Sequence, residues 1–256
     1  MINQYKLINI LETFFRFLSR TNITKNKIFL ETFYFFYQFY KIIFEKKIIL
    51  YLCKFIKENS IVIDVGANIG IYSHYFQKKF KKIKIICIEA DKKNFNYLKK
   101  KFKTNNKLVL INKIASNKNK FYYLKNNKSN PTGHYINTKK YGDKILGITL
   151  DNFLQESKKK ISLIKIDVEG AEGLVVEGSK KIIKKYKPAI YLEYSPERLK
   201  KYNSFDPLYF LSKYNYEFHI ESKNKFEKTT ISEIKNFTKK NICIDILCLN
   251  KGQKIV

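Results

Sequence analysis

Ile61-Val-Ile-Asp-Val-Gly-Ala-Asn-Ile-Gly70, followed by Ile85-Ile-Cys-Ile-Glu-Ala-Asp91, decides the architecture of this chain. Each segment is a short, nearly unbroken apolar run, the pattern of a strand buried on both faces of a parallel sheet. The first run closes on Asp64 and passes through a turn bracketed by Gly66 and Gly70, while the second closes on Glu89. In a doubly wound sheet such strand ends share one crevice, so a tight turn and a carboxylate meet there. A ligand carrying a ribose fits that combination, with Glu89 accepting from its hydroxyls.

Outward from this core the chain alternates between strands and helices. Strands are predicted at Ile61–Val65, Lys84–Ile88, Leu108–Ile111, Ser162–Ile166, Ala189–Glu193, Tyr216–Ile220 and Ile242–Leu249. Helices are predicted at about 70–79, 92–103, 151–158, 172–185, 205–213 and 229–236. The expected fold is α/β, a Rossmann-like, seven-stranded, mostly parallel sheet covered on both faces. An irregular insertion, about 117–148, interrupts the alternation, with Phe121-Tyr-Tyr-Leu124 as a candidate extra strand and 126–134 as loop.

Residues 1–57 form a separate region, expected to be a helical extension to a domain spanning 58–256. Leu7, Ile10, Leu11, Phe14, Phe15 and Leu18 recur at helical spacing. The stretch from Ile28 to Leu52 is crowded with aromatic side chains, but Glu31, Lys41, Glu45, Lys46 and Lys47 interrupt it. No uncharged run approaches the roughly 20 residues that span a bilayer. Packing on the domain core, a homodimer contact and a peripheral membrane helix all stay open for this region.

The formal charge of +29 invites a nucleic-acid reading, but composition argues against it. Only Arg16, Arg20 and Arg198 are arginines among 51 basic residues, and Asn, Ile, Tyr and Phe are also abundant. That is the signature of A/T-rich codons. Arginine, the favoured residue for bidentate phosphate and base contacts, is nearly absent. No specific nucleic-acid partner is expected. Cys53, Cys87, Cys243 and Cys248 lack metal-ligand spacing and suggest no disulfide framework, so a cytoplasmic location, peripheral to a membrane if the aromatic helices bind one, is expected.

The glycine spacing, Gly66-Ala-Asn-Ile-Gly70, departs from G-x-G-x-x-G and disfavours a dinucleotide. Asp64-Val-Gly-Ala-Asn-Ile-Gly70 instead resembles motif I of class I S-adenosylmethionine-dependent methyltransferases, and its wording resembles the FkbM family. Leu163-Ile-Lys-Ile-Asp-Val-Glu-Gly-Ala-Glu172 matches a second hallmark of that family, and Thr149-Leu-Asp151 and Glu193 also fit. One departure is Glu89-Ala90, where the family usually has a proline after the glutamate. The resemblance runs from roughly residue 59 to 195. It implies S-adenosylmethionine as cofactor. Asp64, Gly66, Asn68 and Gly70 would shape the methionine pocket, Glu89 would hold the ribose, and Ala115 and Ser116 would lie beside the adenine.

Asp167, Glu169 and Glu172 follow the fourth predicted strand, where the acceptor would meet the transferred group. Methyl transfer from a sulfonium asks the enzyme to align a nucleophilic oxygen and to take its proton. Asp167 and Glu169 are the candidate bases, with Glu193 and the insertion's His134 as further acceptor-side candidates. Paired carboxylates could equally hold Mg²⁺. For Glu172, a helix-dipole role is an equal alternative. Lys165 alternates away from Ile164 and Ile166, and either pairs with a carboxylate of this group or reaches solvent. The expected activity is O-methyl transfer to a hydroxyl of a sugar, glycan or other small metabolite. An RNA or protein methyltransferase, and a non-catalytic membrane-associated protein retaining the fold, are the alternatives.

Overall fold

The computed structural model describes residues 39, 42–43, 45–126, 134–137, 142–201, 204–222, 225–239 and 243–253. The helices expected before residue 39 and most of the 126–134 loop lie outside these residues.

Eight strands build the main sheet: β1 (Ile61–Val65), β2 (Lys84–Ile88), β3 (Leu108–Ile111), β8 (Ile161–Ile166), β9 (Ala189–Tyr194), β10 (Tyr216–Ser222), β11 (Lys225–Thr229) and β12 (Ile244–Asn250). They lie in the order β11-β10-β12-β9-β8-β1-β2-β3. The pairs from β3 through β9 are parallel, whereas β12 runs antiparallel between β9 and β10. All seven expected strands are present, and β11 adds an eighth at the edge by pairing antiparallel with β10. The inserted antiparallel strand separates this sheet from the dinucleotide-binding order, in which the strands run 3-2-1-4-5-6.

The run from Ile61 to Val65 is buried throughout. Its odd residues join one apolar layer with Ile86, Ile164 and Val175, and Val62 joins the other with Phe76, Leu163 and Ala189. Residues 45–52 are helical, and Ile49 and Leu52 are buried in the second layer beside Phe76.

The helices are α1 (Ile71–Lys79), α2 (Lys92–Lys101), α3 (Leu150–Phe153), α4 (Glu172–Glu177), α5 (Lys180–Tyr186), α6 (Pro196–Lys201), α7 (Pro207–Ser212) and α8 (Ile231–Thr238). Asp91 caps α2 by accepting from the Asn94 amide, and Thr230 with Glu233 makes a capping box on α8. The single helix expected over 172–185 is two, α4 and α5, divided at Gly178 and Ser179. A Cβ on Gly178 would lie 2.0 Å from the Ser116 carbonyl oxygen, so the backbone of the insertion's base packs directly on this break. The helix expected over 151–158 is the shorter α3, and α6 was not foreseen.

The insertion forms its own sheet, with β4 (Ile114–Ala115), β5 (Phe121–Asn126), β6 (His134–Asn137) and β7 (Asp143–Ile148) in the order β4-β7-β5-β6. Ile114, Tyr122 and Leu124 make its small core, and Ala90 at the end of β2 packs against it. The second sheet is thereby anchored beside the cofactor end of the first.

Candidate functional site

The turn after β1 is built on three left-handed residues: Gly66 at φ 72°, Asn68 at 49° and Gly70 at 71°. The Gly66 and Ala67 amides both donate to the Ile88 carbonyl, at 2.9 and 3.1 Å, which fastens the turn to the end of β2. Gly66 also allows a close approach, because a Cβ there would stand 1.7 Å from the Asp167 carbonyl oxygen. At Gly70 a Cβ would press on Phe102 and Leu98.

Glu89 is 6% exposed and its carboxylate is oriented from both sides. The Asn68 amide donates to Oε2 at 2.7 Å and the Asp91 amide to Oε1 at 2.8 Å. Asn68 Oδ1 is a buried acceptor with no hydrogen-bond partner among the described residues. A buried amide oxygen left unsatisfied costs about 1–3 kcal/mol, so its presence beside Glu89 suits a donor brought by a ligand. A ribose-bearing sulfonium nucleoside fits this cradle. Asn112, between β3 and β4, donates from Nδ2 to the Glu89 and Ala90 carbonyls, both at 2.9 Å, and braces the same strand end.

Asp64 and Lys165 sit opposite each other in the β1–β8 register, and Lys165 opposite Tyr191 in the β8–β9 register. Period-two alternation puts all three on one face. Lys165 is 4% exposed and donates to the Gly66 carbonyl at 2.9 Å and to Asp167 Oδ2 at 3.2 Å. Its ammonium lies 3.7 Å from Asp64 Oδ1 and 5.4 Å from the Tyr72 ring centroid. Burial opposes the charge, but Asp167 and Asp64 more than offset it, and the ammonium is held above the ordinary lysine range. Asp64 accepts from the Ser73 hydroxyl at 2.6 Å. Lys165 therefore does not reach solvent. It ties the turn after β1 to the acidic loop.

The acids divide by role. Glu172, at the start of α4, is buried, and its Oε1 accepts from the Val168 and Gly170 amides, both at 3.1 Å. It shapes the loop after β8. Burial first, then Glu193, pushes its carboxyl up to about 8 against the pull of those amides. A carboxyl raised in the folded state contributes stability below its unfolded value and loses it as pH rises through the folded value. Glu172→Gln keeps the accepting oxygen and removes the titration. Its melting temperature should match wild type at pH 5 and exceed it by a few degrees at pH 9. Identical pH slopes for the two proteins in calorimetric melts would show that Glu172 stays neutral in neither range.

Glu169 stands at φ 57° on the tip of that loop, and Glu193 is the penultimate residue of β9. Arg198 of α6 joins them, with one terminal guanidinium nitrogen 2.7 Å from an oxygen of each. Desolvation in the cleft, then the charge of Glu193, pushes the Glu169 carboxyl up to about 8, while Arg198 pulls it back. Asp245, an exposed residue, lies opposite Glu193 in the β9–β12 register. Among the described residues no three His, Cys, Asp or Glu side chains converge as a metal-ligand set.

Ala115 and Ser116 lie at the end of β4 under the small sheet. Both are buried, and the Ser116 hydroxyl donates to the Tyr122 hydroxyl at 2.6 Å. His134 opens β6 opposite Asn126, and its side chain lies outside what is described. The residues of the turn, Glu89, Asp167, Glu169 and Glu193 come together at the carboxyl ends of β1, β2, β8 and β9. Two contributors escaped sequence reasoning. Arg198 had a readable signal, being a lone arginine in a lysine-rich segment, whereas the placement of Asp245 opposite Glu193 had none.

The sequence model of the methyltransferase FkbM domain matches residues 64–218, more than half of the chain. No curated protein matches. Among solved structures, the methyltransferase FkbM from Methylobacillus flagellatus is 17% identical with a TM-score of 0.44, over 75% of this chain and 44% of that one. A precorrin-6y C5,15-methyltransferase from Geobacter metallireducens is 12% identical with a TM-score of 0.47, over 79% and 85% of the two chains. An rRNA methylase from Streptococcus thermophilus is 9% identical with a TM-score of 0.43, over 79% and 93%. This chain thus spans less than half the length of the first of these proteins. The motif match together with the sheet order decides the matter: the chain belongs to the methyltransferase FkbM domain family, a family of S-adenosylmethionine-dependent methyltransferases.

Proposed function

We propose that the chain transfers a methyl group from S-adenosylmethionine to a hydroxyl of a sugar, glycan or other small metabolite. The observation that carries this reading is the direct abutment of two half-sites. Gly66 of the nucleoside-side turn touches Asp167 of the acidic loop, and Lys165 bonds to both. When bound, the cofactor supplies an electrophilic methyl on a sulfonium. Glu89 holds the ribose hydroxyls, Asn68 offers its amide oxygen, and Gly66 and Gly70 let the turn pack on the loop after β8 and on Leu98 and Phe102, which sets its shape around the methionine end. Asp64 acts through Lys165 and Ser73 to fix the turn. Ala115 and Ser116 close the adenine side as part of the packed base of the small sheet.

On the acceptor side, Glu169 and Glu193 receive the hydroxyl, with Asp167 beside them and His134 on the neighbouring sheet. A carboxylate titrating near neutrality is well placed to take a hydroxyl proton. Mg²⁺ is not required by this arrangement, since Lys165 and Arg198 already supply the positive charge that these carboxylates face. Activity is expected to persist in EDTA.

Of the region at 1–57 set beside a catalytic domain at 58–256, the described helix at 45–52 packs on that domain through Ile49 and Leu52. Phe39, Ile43 and Leu50 are exposed at 59%, 55% and 43%, and their spacing puts them on one helical face. That face supports a peripheral membrane or homodimer contact. Among the described residues no helix is long and apolar enough to cross a membrane. The four cysteines are unpaired, in keeping with a cytoplasmic location.

Calorimetry with S-adenosylmethionine and NAD tests the cofactor half. Wild type should bind S-adenosylmethionine at micromolar concentration, and Glu89→Ala should weaken it by roughly 10- to 100-fold, the loss of hydrogen bonds to a charged group. NAD binding in its place would overturn the reading. A screen over sugars then tests the acceptor.

A further inference from the structure

The clamp on the acceptor-side carboxylates points to a residue that the motifs do not include. We propose that Arg198 is a positioning residue that ties Glu169 and Glu193 into one unit, the unit that receives the acceptor hydroxyl. The inference rests on the methyl-transfer reading for its purpose, but its geometry stands alone. A single terminal nitrogen lies 2.7 Å from both carboxylates, which arrive from different elements, the loop after β8 and the end of β9. Like charges this close do not both ionise without a counter-charge. Glu169 also faces Asp167 and Glu172, and Glu193 faces Cys243 and Asp245, so negative charge crowds the pair. Lys165 is directed to Asp64, Asp167 and the Gly66 carbonyl. Arg198 is the cation that touches both Glu169 and Glu193.

Composition supplies a second argument. Arginine occurs three times among 51 basic residues, and Arg198 is the only one among the described residues. In a chain that elsewhere uses lysine, arginine stands where one planar, permanently charged group must serve two carboxylates at once. Glu169 gives a third. Its left-handed backbone is strained for a residue that is not glycine, and the ion pair secures its side chain from that tip.

The test uses the full chain carrying glutamate labelled with ¹³C at the carboxyl carbon, titrated by NMR, with Glu169→Gln and Glu193→Gln assigning the two signals. Arg198→Gln should raise the upper midpoint of the pair by about one unit or more. Arg198→Lys restores the charge without the shared planar contact and should fall between the two. Midpoints unchanged in Arg198→Gln, to within about 0.3 unit, would reduce the contact to an ordinary surface ion pair and overturn the proposal. S-adenosylhomocysteine binding measured by calorimetry separates this from the parent reading. Its affinity should agree within about twofold across wild type and both Arg198 variants, since Arg198 lies on the acceptor side. Loss of that affinity in both variants would make Arg198 a fold element and also overturn the proposal. Failure of wild type to bind would instead sink the methyltransferase reading, while the titration would still judge the clamp.

Discussion

Gly66→Ala is expected to abolish cofactor binding and to lower the melting temperature by on the order of 10 °C. Two costs coincide at this position. The backbone stands at φ 72°, a conformation that alanine adopts only with strain of about 1–3 kcal/mol. The new Cβ would also arrive 1.7 Å from the Asp167 carbonyl oxygen. That obstacle is backbone, so no rotamer change relieves it, and the turn and the loop after β8 must move apart. The movement breaks the donation of the Asp167 amide to the Val65 carbonyl, now 3.1 Å, and the reach of Lys165 to the Gly66 carbonyl. A destabilisation above about 3 kcal/mol belongs to this class of change. S-adenosylhomocysteine affinity should fall by more than about 100-fold in calorimetry. Gly66→Ala with wild-type affinity would mean that the turn does not line the cofactor site.

Lys165→Met carries the second large effect. Among the described residues it removes the only cation in contact with the buried Asp64 and leaves that carboxylate, 1% exposed, with the Ser73 hydroxyl. Breaking a buried pair from one side typically costs about 3–5 kcal/mol, because the surviving charge stays desolvated. Asp64→Asn in the same chain removes the stranded charge while keeping the shape. The double variant should recover more than half of the lost stability in urea melts, a coupling of about 1.5–3 kcal/mol. Additive losses would show that Lys165 acts through Asp167 or the Gly66 carbonyl and not through Asp64.

Much of this was legible in the sequence because the signals were local. The apolar runs at Ile61–Val65 and Ile161–Ile166 are long enough and β-branched enough to admit one reading, and the glycine spacing with Glu89 fixed which crevice they frame. The edge strand Lys225–Thr229 was not legible, since Lys225, Glu227 and Lys228 give it the composition of a loop and its pairing with β10 depends on tertiary placement. The 172–185 helix reads as continuous because its interruption comes from packing against Ser116, a residue more than fifty positions away. The insertion's three further strands are short and partly polar, so their period is weak. In the site, the strand-end acids were found from their positions. The Arg198 clamp was not, because joining Glu169, Glu193 and Arg198 requires knowing that the loop after β8, the end of β9 and α6 converge.

The seam between Gly66 and Asp167 has a thermodynamic consequence. The surface proposed for the nucleoside and the surface proposed for the acceptor share one backbone contact, one amide donation from Asp167 to Val65 and one lysine. Neither can be displaced without shifting the other. Occupancy of one side should therefore change affinity on the other, and linkage requires the effect to be reciprocal and equal in free energy. For this chain the acceptor is best sought with the cofactor or its demethylated product already bound.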